Sequence, residues 1–116
     1  MIGRYDMIDW STVNNLREEV GAEDFGEVVD LFLEEVESVI ARMRETPDPE
    51  QLEADLHFLK GSALSFGFGT FSGLCETGER MAGKGQGAQV NLQEIFDAFD
   101  VSKAQFLTDL PQRFAA

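Results

Sequence analysis

The stretch DPEQLEADLHFLKGSALSFGFG, residues 48–69, decides how this chain is read. Within it Leu52, Leu56, Leu59, Ala63 and Phe66 recur at alternating steps of four and three, the apolar stripe of an amphipathic α-helix. Asp48, Pro49 and Gln51 predict an N-cap, a first-turn proline and a capping box, and Gly67 and Gly69 predict its end. Outward from there the same periodicity continues. Residues 9–20 predict a short helix with Asp9 or Ser11 as cap and Trp10, Val13, Leu16 and Val20 on one face. Phe25, Val29, Phe32, Val36, Val39, Ile40 and Met43 predict a long helix that Pro47 stops. Its acidic start, Glu23 and Asp24, and its basic end, Arg42 and Arg44, both suit the helix dipole.

A fourth helix is predicted over about 70–83 through Phe71, Leu74, Cys75, Met81 and Ala82, and Gly83 to Gly87 read as a loop. Asn91 with Glu94 forms another capping box, opening a fifth helix through Leu92, Ile95, Phe96, Phe99, Phe106 and Leu110, with Pro111 near its end. The expected fold is all-α. It is an antiparallel, up-down four-helix bundle over about 22–112, with the short helix at 9–20 as an N-terminal lid, the whole of 1–116 being one domain. Its ten phenylalanines are expected to fill bundle layers, and Cys75 to be core.

Composition narrows the function. With 9 Lys and Arg against 22 Asp and Glu, the 116-residue chain carries a net charge of −13. Phosphate backbones and anionic lipid repel such a surface, so neither nucleic acid nor membrane is an expected partner. The charge is lopsided: 16 acidic and 4 basic side chains precede Lys60, and 6 and 5 follow from there on. An anionic group is best tolerated in the later half. A lone Cys75 fits a reducing compartment. The start lacks the layout of a secretory signal, and no run approaches a membrane span, so a cytoplasmic protein is expected. Monomer is the default, because one bundle can bury its own core.

His57 stands out because it is on the outer side of its helix. At about 100° per residue it points away from the stripe of Leu56, Leu59 and Ala63, and it shares its face with Glu53, Lys60, Gly61 and Leu64. A neutral imidazole presents a nitrogen lone pair at neutral pH. Lys60, one turn on, offsets charge on a phosphoryl group. Gly61 inside a helix costs roughly 1 kcal/mol relative to Ala, and a missing side chain beside His57 lets another protein come close. Leu64 leaves apolar surface for docking.

His57-Phe58-Leu59-Lys60-Gly61-Ser62-Ala63 resembles the signature of the histidine-containing phosphotransfer (HPt) family, a helical His followed three and four residues on by Lys and Gly. Gly67 and Leu74-Cys75-Glu76 are similar to the family as well, and the likeness spans about residues 22–112. The resemblance implies a phosphorelay intermediate of two-component signalling. His57 accepts a phosphoryl group from an aspartyl phosphate on a receiver domain and passes it to another. Lys60 is the charge partner and Gly61 the close-approach position. Apart from the resemblance, Leu64 and Glu53 on the His57 face, together with Arg80, are expected as binding residues. Ser65 stands where the family commonly has Asn. Glu76, Thr77 and Arg80 are the candidates for the helix-four partner of the imidazole. No cofactor is implied on this chain; the receiver brings the acceptor Asp, Mg²⁺ and its own Lys. With no ATP-binding loop in view, the chain is expected to be a phosphocarrier and no autonomous kinase.

Each residue also has an ordinary reading. His57 alone is a surface histidine, Lys60 a solvated residue or a partner of Glu53 or Glu76, and Gly61 with Ser62-Ala63 a close-packing contact to the fourth helix. A metal site is not expected from one His and one Cys without an inward Glu-x-x-His pair, and a hydrolase triad lacks its nucleophile and Asp. The alternative function is a non-phosphorylated adaptor that binds a receiver or another partner through the His57/Leu64 face. The input domain of a chemotaxis-type kinase is disfavoured by the chain ending at Ala116. A sensor-kinase dimerisation hairpin is disfavoured because Phe58, and no acidic residue, follows the His.

Overall fold

The computed structural model describes residues 7–114, and among them the regular structure is helical, with one isolated backbone bridge between Ile8 and Phe68 and no strand. The helices are α1 (Trp10–Val20), α2 (Ala22–Glu45), α3 (Leu52–Ser65), α4 (Gly69–Gly83) and α5 (Leu92–Arg113), with a 3₁₀ turn at Gly87–Gln89 before the last. Asp9 caps α1, accepting from the Ser11 backbone N–H at 3.2 Å. Gly21, at φ 91°, makes the break to α2 by itself. Thr46 is held out of helical geometry ahead of Pro47, which ends α2 where the sequence predicts. Asn91 caps α5, accepting from the Glu94 N–H at 3.1 Å, and the helix runs past Pro111 by two residues.

The start of α3 differs from the expected capping box. Asp48 Oδ1 accepts from the Glu50 N–H at 3.0 Å, and the Gln51 N–H bonds the Asp48 carbonyl at 3.0 Å. Asp48 therefore closes a local turn through Pro49, and α3 opens at Leu52 without a side-chain cap. At the other end Gly67 (φ 75°) makes the turn and Gly69 is the first residue of α4. A Cβ on Gly67 would sit 2.5 Å from the Asp9 carbonyl oxygen, so glycine is required there twice over. Gly83 closes α4, which shortens the expected loop at its front, and the 3₁₀ turn begins at Gly87.

The core draws on all five helices. Phe32 stacks on Phe66 with centroids 4.0 Å apart, Phe68 meets Phe32, Phe99 and Phe106, and Phe71 packs on Phe99. Trp10 stacks on Phe106 and the Asp9 N–H bonds the Gly67 carbonyl at 2.6 Å, which fastens α1 across the end of the helices behind it. Cys75 is fully buried among them, and burial pushes its thiol up to about 12. One phenylalanine departs from the expectation. Phe58 is 41% exposed, because it lies off the stripe of Leu56, Leu59 and Ala63, all fully buried.

Pairings between helices fix their register. Arg42 meets Asp55 between α2 and α3, and Phe32 meets Phe66 just past the end of α3. Along α3 and α4, a Cβ on Gly78 would touch the Leu56 side chain at 3.0 Å and one on Gly83 the Glu53 carboxylate at 2.9 Å. The bare backbone at Gly78 lets α4 approach α3 closely. That approach builds the site described next. No helix among the described residues is long and apolar enough to cross a membrane.

Candidate functional site on the α3–α4 face

His57 projects from the middle of α3 with 69% of its side chain exposed. Its Nδ1 lies 2.9 Å from Oε2 of Glu79 on α4. The other carboxylate oxygen, Oε1, is 2.9 Å from the Lys60 ammonium. Glu79 thus holds two cationic or donor groups from successive turns of α3 on one carboxylate. The Lys60 bond, and after it the His57 bond, hold the Glu79 carboxyl below the usual carboxylate range, against partial burial that acts the other way. An ionised carboxylate only accepts, so the neutral imidazole carries its proton on Nδ1 and turns the lone pair of Nε2 to solvent.

The partner of the imidazole is therefore Glu79, and the three candidates read from sequence are corrected. Thr77 Oγ1 donates to the Gly73 carbonyl within α4 at 3.2 Å, and Glu76 and Arg80 are exposed without a recorded contact to the ring. Helical spacing explains the choice. Ser72, Cys75 and Glu79 fall on one line of α4, and Ser72 Oγ reaches the Lys60 carbonyl at 3.4 Å while Cys75 is buried. Thr77 and Arg80 lie off that line, and Glu76, on the other side of Ser72 from the buried Cys75, is turned to solvent.

Only the ordinary reading of Lys60 is corrected: the side chain is 23% exposed and paired with Glu79, where that reading has it solvated or paired with Glu53 or Glu76. Glu53 turns along α3 toward Gly83 at the end of α4, away from the ring. Gly61 is exposed, and a Cβ added to it would meet nothing within 4 Å, so close packing on α4 does not explain this glycine. Ser65 Oγ donates to the Gly61 carbonyl at 3.2 Å and stays off the ring. Leu64 is 58% exposed on the His57 side. Phe58 flanks Gly61 on the other side, an apolar neighbour that the same angular count predicts to be outside and that the sequence reading passes over.

The arrangement is an unhindered imidazole nitrogen with a fixed proton on the opposite atom, a cation one turn away, bare backbone beside it and apolar residues at its rim. It is equipped to attack an electrophile brought by another molecule. The sequence matches the Hpt domain family over residues 27–115, and the chain belongs to that family. Hpt domains are phosphocarrier modules of two-component phosphorelays. No curated protein and no solved structure matches the chain significantly.

Proposed function

We propose that this chain is a phosphorelay intermediate in which His57 Nε2 takes a phosphoryl group from a receiver-domain aspartyl phosphate and yields it to a second receiver. The observation that carries the reading is the Nδ1–Glu79 contact at 2.9 Å beneath an exposed ring, which leaves Nε2 as the free nitrogen of that ring. Phosphoryl transfer depends chiefly on positioning and charge. Glu79 sets the ring, Lys60 keeps positive charge within one turn of the incoming phosphoryl oxygens, and Gly61 admits the partner's backbone. Leu64 and Phe58 flank this entry as docking contacts.

The fold behind the site is an up-down antiparallel four-helix bundle of α2 to α5 with α1 as its lid, in one domain. Its support is the reversed register of residue pairs between successive helices, together with Glu37–Lys103 and Arg44–Phe96 between α2 and α5. The chain works as a cytoplasmic monomer, and Mg²⁺ and the second catalytic lysine reside on the receiver. It has no kinase activity of its own.

The test is transfer from a labelled, phosphorylated receiver. The expected product is an acid-labile, alkali-stable adduct that His57→Gln abolishes while the helical content is unchanged. No label from a full panel of candidate receivers, or binding to a receiver that is equal in His57→Ala without any phosphate carried, overturns the relay and leaves an adaptor.

A further inference from the structure

We infer that Glu79, by being a carboxylate and not an amide, keeps phosphorylated His57 protonated at Nδ1 and so makes this chain a fast, short-lived carrier. This rests on the phosphorelay reading, which makes His57 the acceptor. Three features of the geometry lead to it. Oε2 of Glu79 is 2.9 Å from Nδ1. Lys60 occupies Oε1 at 2.9 Å and holds the carboxylate in place and ionised. Glu79 is the charged group against the ring from α4 and Lys60 stands behind it from α3, while Glu53 is turned to the end of α4.

The chemistry follows from counting protons. The Nε2 lone pair forms the new P–N bond as the acyl-phosphate P–O bond breaks, and that electron pair leaves with the receiver's aspartate as a carboxylate. The ring now bears phosphoryl on Nε2 and the original proton on Nδ1, so it is a cation. An ionised carboxylate stabilises that cation, and stabilises it as it develops in the transition state. Loss of the Nδ1 proton would set a lone pair against a carboxylate oxygen, two acceptors with no hydrogen between them. An amide at position 79 would behave differently, since its NH₂ can turn and donate to the deprotonated ring.

The protonation state then decides how readily phosphate departs. P–N cleavage from the cation expels neutral imidazole; from the neutral adduct it expels imidazolate, a far poorer leaving group. Holding the proton on Nδ1 speeds onward transfer and loss to water together, and by microscopic reversibility it speeds loading as well. Lys60 enters as a positioning residue through Glu79.

Phosphoramidate, a small donor that needs no receiver, provides the test on the full chain. The wild-type adduct is expected on Nε2 by ³¹P and ¹⁵N NMR, with Nδ1 still protonated at mildly alkaline pH. In Glu79→Gln, the Nδ1 proton is lost at lower pH and the adduct half-life at a fixed mildly alkaline pH lengthens by about tenfold. Glu79→Asp, which restores the charge, returns the half-life toward wild type. Equal half-lives and equal Nδ1 protonation in wild type and Glu79→Gln, phosphate on Nδ1, or no adduct at all overturn the inference. If circular dichroism shows Glu79→Gln unfolded, the wild-type adduct decides alone, and an unprotonated Nδ1 in it overturns the inference. An adduct that behaves as expected, combined with no transfer from any receiver, overturns the relay and the carrier role with it, and leaves only the Nδ1 protonation by Glu79 standing.

Discussion

Helix α3 carries a carboxylate–cation contact on each of two sides, and they are built the opposite way round. Toward α2, the Asp55 carboxylate is buried and the Arg42 guanidinium closes over it with Nη1 and Nη2 at 3.2 and 2.7 Å. Both oxygens are filled by one rigid fork, and nothing is left to react. Toward α4, the carboxylate of Glu79 is again the inner member, but its oxygens are divided between His57 and Lys60. The outer member is a ring with a second nitrogen, and that nitrogen stays free. An inward carboxylate makes a clasp in one place and presents a nucleophile in the other. What separates them is whether the exposed partner has an atom to spare.

Arg42→Ala strands the buried Asp55 carboxylate, and the unfolding constant is expected to rise roughly tenfold or more, seen as a lower urea midpoint. Phosphoryl transfer per folded molecule should stay as in wild type. A large loss of transfer in the folded variant would mean that the two sides of α3 are coupled. The reverse dissociation is expected at Gly61. Its added Cβ meets nothing in this chain, so Gly61→Ala should stabilise the helix by up to about 1 kcal/mol and yet slow transfer from a receiver. Unchanged transfer would remove Gly61 from the contact face.

The sequence carries the inner and outer faces of α3 more legibly than either of these contacts between helices. Apolar steps depend only on positions within one helix, and they place Leu56, Leu59 and Ala63 inward and His57, Leu64 and Gly61 outward as found. Glu79 is different, because it matters through the register of two helices. Counting from the turn at Gly67 brings His57 near the stretch 76–80, and only the line through Ser72 and Cys75 picks out position 79 within it. The start of α3 is obscured for a related reason: Asp48 has two backbone N–H groups in reach, and the local turn to Glu50 takes its carboxylate before a helix can. Phe58 is hidden by its type, since a phenylalanine is expected to be core in a chain where Phe32, Phe68, Phe71, Phe99 and Phe106 fill the interior.

The smallest effect concerns the acid limb of stability. Glu79 in the folded chain titrates below its ordinary value of 4.5, first because of Lys60 and then because of His57. A lowered carboxyl binds fewer protons folded than unfolded, so its contribution is fully present above the ordinary value and fades as pH falls through the lower, folded one. Lys60 and Glu79 remain partly in contact with water, so screening keeps the contribution modest. Glu79→Gln should therefore be slightly less stable than wild type at neutral pH, with the two melting temperatures converging as acid protonates the wild-type carboxylate. If the gap stays constant down to acid pH, packing and not charge holds α3 to α4 here.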